Sequence, residues 1–206
     1  PYDYSIDVGY SRLLLKGLSV GATARYIRSD LDLTDSEAGD AVAFDISAYY
    51  QINLPLLSSQ SLLAVGANCS NLGSKISYGE GKNALPAKIN GGASLLLPFC
   101  ENHNLMGAAE FGYRFAPEDN EEYEIALGAE YKCYKIAAVR AGYHWGDTDA
   151  GGCNYFAFGA GVNYYHFQAD FSYQLAAKST DALDKTMRFT LAMDFGLFLK
   201  DRNRNK

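Results

Sequence analysis

The sequence predicts an all-β fold, an antiparallel transmembrane β-barrel, with about eleven strands of a larger barrel present. Three observations predict it. Segment after segment alternates apolar and polar residues with a period of two. The segments are long enough to cross a bilayer. The connections between them alternate between brief turns and longer polar stretches.

The pattern is clearest in Glu122 to Cys133. Tyr123, Ile125, Leu127, Ala129, Tyr131 and Cys133 fall on one side of an extended chain, and Glu122, Glu124, Ala126, Gly128, Glu130 and Lys132 on the other. About 9–11 tilted residues cross a bilayer as a strand, whereas soluble strands run about 5–6.

The same reading extends along the chain. The first strand, Tyr2 to Leu13, sets Tyr2, Tyr4, Ile6, Val8 and Tyr10 against Asp3, Ser5, Asp7, Gly9 and Ser11. A Lys16-Gly17 turn leads to a second strand, Leu18 to Ile27, with Val20, Ala22, Ala24 and Tyr26 on its apolar side. The third carries Val42, Phe44, Ile46, Ala48, Tyr50 and Ile52 against Asp45, Ser47 and Gln51. The fourth spans Ser61 to Asn71 and the fifth Ala87 to Leu97, joined by a long connection, Leu72 to Leu85. Pro98 to His103 reads as a turn, followed by a sixth strand with Leu105, Ala109, Phe111, Tyr113 and Phe115 aligned. The seventh is the segment above, turned by Tyr134-Lys135. The eighth sets Ala137, Val139, Ala141, Tyr143 and Trp145 against Arg140 and His144. The ninth and tenth form a hairpin at Tyr165-His166, with Phe156, Phe158, Phe167 and Phe171 on the apolar side. The last puts Met187, Phe189, Leu191, Met193 and Phe195 opposite Arg188, Thr190 and Asp194.

Composition agrees. Of 206 residues, 48% are hydrophobic, yet no run of apolar residues is long enough for a membrane helix. The 16 Tyr and 11 Phe suit strands and the aromatic girdles of a barrel wall. A net charge of -6 argues against a general nucleic-acid binder, which needs a basic surface. Cys69, Cys100, Cys133 and Cys153 show no zinc spacing. A bridge between two of them is open in an oxidising compartment. The competing soluble fold is a sandwich, whose two apolar faces would seal Phe158, Phe171 and Leu191 in a shared dry centre.

Placing the long connections outside puts Pro1 at the outer rim, whereas a bacterial barrel normally has an even strand count and starts in the periplasm. No export signal precedes the first strand. A chain lacking N-terminal strands is therefore expected, with residues 1–199 forming the barrel and 200–206 a periplasmic tail.

Nothing points to catalysis, a cofactor or a metal. His103, His144 and His166 have no ligand spacing, and His144 reads as a hydrogen-bonded wall residue. Gly159-Ala160-Gly161 lies inside a strand and lacks the third glycine of a dinucleotide fingerprint. Asp147, Asp149 and Gly151 begin a calcium-loop pattern, but Phe158 stands where its closing acid is needed. The charges that the alternation turns away from lipid are more informative. Asp45, Glu110, Glu130, Lys132, Arg140, Asp170, Arg188 and Asp194, with Asp3, Asp7 and Arg25, are expected to face the lumen, where they pair across strands or line a wet path. Facing lipid, the basic ones would cost about 2–4 kcal/mol each at the midplane.

The chain resembles the PorV/PorQ family of Bacteroidota outer-membrane proteins, which have a FadL-like barrel. The resemblance rests on Asn71-Leu72-Gly73-Ser74-Lys75-Ile76-Ser77-Tyr78 followed by Leu85-Pro86, on Gly159 to Val162 with Asp170 to Tyr173 and Thr186 to Phe189, and on Tyr10-Ser11-Arg12 with Ser19-Val20-Gly21. It implies a non-enzymatic outer-membrane component of the type IX secretion system. Its expected partners are membrane lipid, the translocon barrel, the signal domains of secreted cargo and proteins of the surface attachment complex. PorV-like and PorQ-like roles both remain open. Candidate contact loops are Ser29 to Asp40, Leu72 to Leu85 and Gly146 to Cys153, with Asp35, Glu37, Lys75, Tyr78, Asp147 and Asp149 as candidate contacts. By fold analogy, a FadL-type transporter of hydrophobic small molecules is the alternative.

Overall fold

In a computed structural model the alternating segments pair with their sequence neighbours into one antiparallel sheet of eleven strands. The structure describes residues 2–30, 38–56, 61–78, 81–148, 152–177 and 184–193. Within these lie β1 (Tyr2–Leu15), β2 (Leu18–Asp30), β3 (Gly39–Leu54), β4 (Ser61–Gly73), β5 (Ile76–Tyr78), β6 (Gly81–Asn83), β7 (Lys88–Cys100), β8 (His103–Arg114), β9 (Glu122–Cys133), β10 (Ala137–Gly146), β11 (Tyr155–Tyr164), β12 (Phe167–Ala176) and β13 (Thr186–Met193). The large sheet runs β1-β2-β3-β4-β7-β8-β9-β10-β11-β12-β13, and β5-β6 pair apart from it. The sheet is open, with β1 and β13 as its edges.

Register gathers the charges on one face, although Met106, Leu96 and Leu62 share it with them. Leu127 stands opposite Ala109 and Tyr143, and Glu130 opposite Met106 and Arg140. A slip of one residue would throw every charge onto the apolar face, so the alternation itself fixes the pairing. The strands meet at one end through residues 16–17, 55–60, 101–102, 134–136 and 165–166, and at the other through 31–38, 74–87, 115–121, 147–154 and 177–185. The brief turns take left-handed backbone at Gly17 (φ 87°), Tyr134 (φ 52°), Lys135 (φ 58°) and Tyr165 (φ 53°), the twist that a tight hairpin between right-twisted strands needs.

Among the described residues the sheet has no partner layer. Phe158, Phe171 and Leu191 are 48%, 36% and 86% exposed, so the dry shared centre of a sandwich is absent. Among the described residues the buried apolar ones are Ala41, Ala43, Ala64, Ala87, Ala138 and Ile76, all but one of them alanines. Such a sheet buries too little apolar surface of its own to offset the entropy of ordering its chain. The missing burial has to come from outside it.

Two details differ from the sequence reading. Pro98 to His103 is not wholly turn: β7 runs through Pro98 to Cys100, with a register shift between Pro98 and Cys100, and pairs Cys100 with His103. An irregularity in the ladder accommodates a residue that cannot donate to it. The connection from Leu72 to Leu85 carries structure of its own, the β5-β6 hairpin. None of the four cysteines, all of them among the described residues, is joined to another by a disulfide.

Candidate functional site

The polar face carries its charges in cross-strand groups. Asp7 on β1 and Arg25 on β2 are register partners and form an ion pair through Arg25 Nε. Arg25 also donates from Nη2 to Asp45 Oδ2 on β3 at 3.2 Å and from Nη1 to Asn71 Oδ1 on β4 at 2.9 Å. Asn71 closes the group by donating its backbone N–H to Asp45 Oδ1 at 2.7 Å. Four strands are thus tied by one guanidinium, whose planar fork suits several acceptors at once.

A second group spans β9 to β12. Arg140 donates from Nε to Glu130 Oε2 at 2.7 Å and from Nη1 to Asp170 Oδ1 at 2.6 Å. Lys132 Nζ lies 3.5 Å from Glu130 Oε1. Arg140 and Asp170 stand on strands separated by β11, and they meet because β11 presents glycine to this face. A Cβ at Gly161 would lie 2.3 Å from Asp170 Oδ1 and 3.2 Å from Arg140 Nη1, and one at Gly159 would lie 3.6 Å from Arg140 Cβ. The Gly159-Ala160-Gly161 run is therefore the floor under an ion bridge. Arg140→Ala is expected to lower stability by about 1–2 kcal/mol, between the values for exposed and fully buried pairs. Gly161→Leu is expected to uncouple Arg140 from Asp170 while leaving the Glu130 contact. A double-mutant cycle of Arg140→Ala with Asp170→Ala, read by urea unfolding in lipid with and without Gly161→Leu, checks both.

A third group lies near the long-connection end. Arg114 pairs with its register partner Glu122. Glu124 lies 3.5 Å from Lys88 Nζ through Oε1 and 3.5 Å from His144 Nε2 through Oε2. His144 Nδ1 hydrogen-bonds the Cys153 carbonyl oxygen at 3.1 Å, and its ring stacks on Tyr155 at 4.8 Å. Asn71, Pro86, Lys88, Arg114, Glu122 and Glu124 enclose a small polar hollow of about 270 Å³.

Beside it residues 71–78 and 81–86 form an excursion, which lies against the polar face of β3 at Gly39. Asn71 takes a left-handed backbone (φ 58°) and donates from Nδ2 to the Pro86 carbonyl oxygen at 3.0 Å, stapling the two roots of the excursion together. Gly73 passes so close to β3 that a Cβ would lie 1.9 Å from the Val42 carbonyl oxygen. Ser74 and Val42 then exchange hydrogen bonds, Ser74 N–H to Val42 O at 2.9 Å and Val42 N–H to Ser74 Oγ at 3.0 Å. Ile76 comes down on β3, where a Cβ at Gly39 would lie 2.8 Å from Ile76 Cγ1. Ala41 and Ala43 on this face are 3% and 0% exposed, whereas their neighbours Val42 and Phe44 on the other face are 42% and 52% exposed.

The comparisons with known proteins bear on this stretch. A family model described as type IX secretion system protein PorV matches residues 1–120. The chain belongs to the PorV family. No curated protein matches it. The match takes in β1 to β8, the Arg25 group and the in-folded hairpin, whereas the Arg140 group lies beyond it. PorV membership implies a role in type IX secretion. PorV is an outer-membrane component of that system and not a known enzyme family, and the strand-rich fold is consistent with that membrane.

In this PorV-family chain the described members of the charged set singled out from the sequence share the polar face. Asp45 joins the Arg25 group, and Glu130, Lys132, Arg140 and Asp170 come together in the second. Glu110 stands exposed opposite Gly92 and Ala126, and Arg188 stands exposed opposite Ser172, apart from these groups. Asp194 and residues 200–206 lie outside the described residues. Of the candidate loop contacts, Lys75 is exposed at the start of the hairpin, and Tyr78 ends β5 against Gly39. Asp147 follows β10, donating its N–H to the Tyr123 carbonyl oxygen at 3.2 Å and accepting from Gly152 N–H at 2.7 Å. Asp35, Glu37 and Asp149 lie outside the described residues. Sequence reasoning missed Lys88 and Arg114 as partners of Glu124 and Glu122, and it missed Asn71 as a staple. The signal for Asn71 is its place in the Asn-Leu-Gly passage, where a residue tolerant of left-handed backbone precedes a glycine.

Proposed function

We propose that this chain is wall of an outer-membrane barrel that serves type IX secretion by binding and not by catalysis. Its apolar face lies in lipid and its polar face looks into the barrel. The long-connection end lies outside the cell, where it meets the translocon barrel, the signal domains of cargo and proteins of the surface attachment complex. The family match over residues 1–120 carries this reading. The division of the sheet into one apolar and one ion-paired face supports the membrane part of it, since lipid supplies the burial that the sheet lacks.

Lys75, Tyr78 and Asp147 are the described members of the proposed contact set. Lys75 is exposed and belongs to none of the three ion groups. Lys75→Glu is expected to reduce co-purification of a translocon barrel or signal-domain cargo several-fold, as rim charges steer association without building the fold. Heat-modifiable migration on a gel should stay unchanged. Deletion of the gene should abolish surface delivery of cargo; intact delivery in the deletion strain contradicts the proposal.

A further inference from the structure

Between the Arg25 group and the Arg140 group the polar face is nearly bare. One register row across it reads Ala64, Ser94, Ala108, Gly128, Gly142 and Ala157, from β4 to β11. The next row toward the long-connection end reads Gly66, Gly92, Glu110 and Ala126. Side chains without bulk leave a trough of about 600 Å³ there, with Asn90, Gly92, Glu110 and Ala126 among its lining. One acid stands in it. Glu110 is exposed and makes no hydrogen bond or ion pair among the described residues.

An amide oxygen is left over beside that acid. Asn90 Oδ1 is buried and accepts from no donor among the described residues. Asn90 and Glu124 are the register partners of Gly112 on its two sides. A Cβ at Gly112 would lie 3.0 Å from Asn90 Oδ1 and 2.7 Å from Glu124 Oε1. The two oxygens therefore meet over one glycine, and Glu110 lies two residues before it on the same face of β8. Lys88 Nζ comes to 3.5 Å from Glu124 Oε1, and among the described residues no cation is bonded to Asn90 or Glu110.

A buried acceptor without a donor is costly, so this one calls for a donor from outside the wall. Two of the three acceptors are carboxylates, so the donor that suits them is a cation. Among the described residues no three imidazole, thiol or carboxylate groups stand close enough to hold a metal ion. The trough has the size of a small-molecule site. On either side of it the wall already uses a guanidinium to join acceptors on several strands, at Arg25 and at Arg140. We propose that the wall over Gly92 and Gly112 binds a small organic cation, a solute with a guanidinium or ammonium group, held by Glu110, Asn90 Oδ1 and Glu124. The site rests on the polar face being the inside of a membrane barrel, and the test keeps the two apart.

The test uses the full chain in outer-membrane vesicles, with Cys69, Cys100, Cys133 and Cys153 changed to alanine and Ala108→Cys as reporter in the row beside Glu110. Two membrane-impermeant methanethiosulfonates are compared, one with a trimethylammonium head and one with a sulfonate head. The cationic reagent should react about tenfold faster, and Glu110→Gln should bring the two near parity. Agmatine, which carries a guanidinium and an ammonium group, should slow the cationic reagent several-fold at millimolar concentration, whereas neutral urea should not. Asn90→Asp should strengthen this protection, and Asn90→Leu should weaken it. Equal rates for the two reagents overturn the site, and so do reaction with neither reagent and absence of protection by agmatine. Weaker protection in Asn90→Asp overturns it too, because the amide then turns its NH2 group toward Glu124. Ala109→Cys, on the other face opposite Ala93 and Leu127, reads the membrane assignment separately. It should stay unlabelled, and rapid labelling there overturns the lipid-facing reading and the place of the site inside a barrel with it.

Discussion

Leu127→Arg is expected to abolish stable insertion of this chain in the outer membrane, while Ala126→Arg, one residue away, is expected to leave insertion intact. Leu127 lies mid-strand on β9, on the face that also carries Tyr123, Tyr131, Val139, Phe156 and Phe158. An arginine at the lipid midplane costs about 2–4 kcal/mol in a barrel wall. That is a large part of the roughly 5–15 kcal/mol by which a typical folded domain is stable. Ala126 lies on the other face, opposite Glu110, so an arginine there gains a counter-charge. The fraction of heat-modifiable protein in outer-membrane preparations reads both variants. Equal tolerance at the two positions contradicts the assignment of faces.

Gly73→Ala is expected to have the largest effect of any single methyl group. The added Cβ would lie 1.9 Å from the Val42 carbonyl oxygen and 2.7 Å from Ala43 Cα. Both are backbone atoms in the β3-β4 ladder, so no side chain can swing aside. Relief requires the end of β4 to leave β3, which breaks the Ser74–Val42 exchange and draws Ile76 away from Gly39. A loss of about 1–3 kcal/mol is expected, the usual range for forced overpacking. Faster hydrogen exchange at residues 74–78 should accompany it, with β9 to β12 unaffected. A uniform loss of protection across the sheet contradicts the local account.

The strands were legible because their alternation is long. Twelve residues from Glu122 to Cys133 place each side chain without ambiguity, and the same period placed Arg140, Glu130 and Asp170 on one face. The meeting of Arg140 with Asp170 across β11 was not legible. It depends on Gly159 and Gly161 being empty floor, and a glycine in a strand reads equally as a bulge, a bend or a close approach. The β5-β6 hairpin was hidden for a related reason: three-residue strands are too short for a period to show. Ile76 looks like any loop isoleucine until Gly39 is brought against it. Pro98 reads as part of a turn in the sequence, whereas a register shift in the ladder accommodates it within β7.

Quenching by brominated lipid tests the division of faces most directly. With Trp145, the single tryptophan of this sequence, changed to phenylalanine, a reporter tryptophan is placed at Phe158 or at Ala157. These neighbours on β11 belong to opposite faces: Phe158 pairs with Ala141 and Tyr173, and Ala157 with Gly142 and Gln174. Phe158→Trp should be quenched strongly by bromine on the acyl chains, and Ala157→Trp should be spared by it and quenched by acrylamide from water. Equal quenching of both by lipid, or stronger quenching at 157, would contradict the claim that one face of this sheet lives in the membrane and the other in a polar interior.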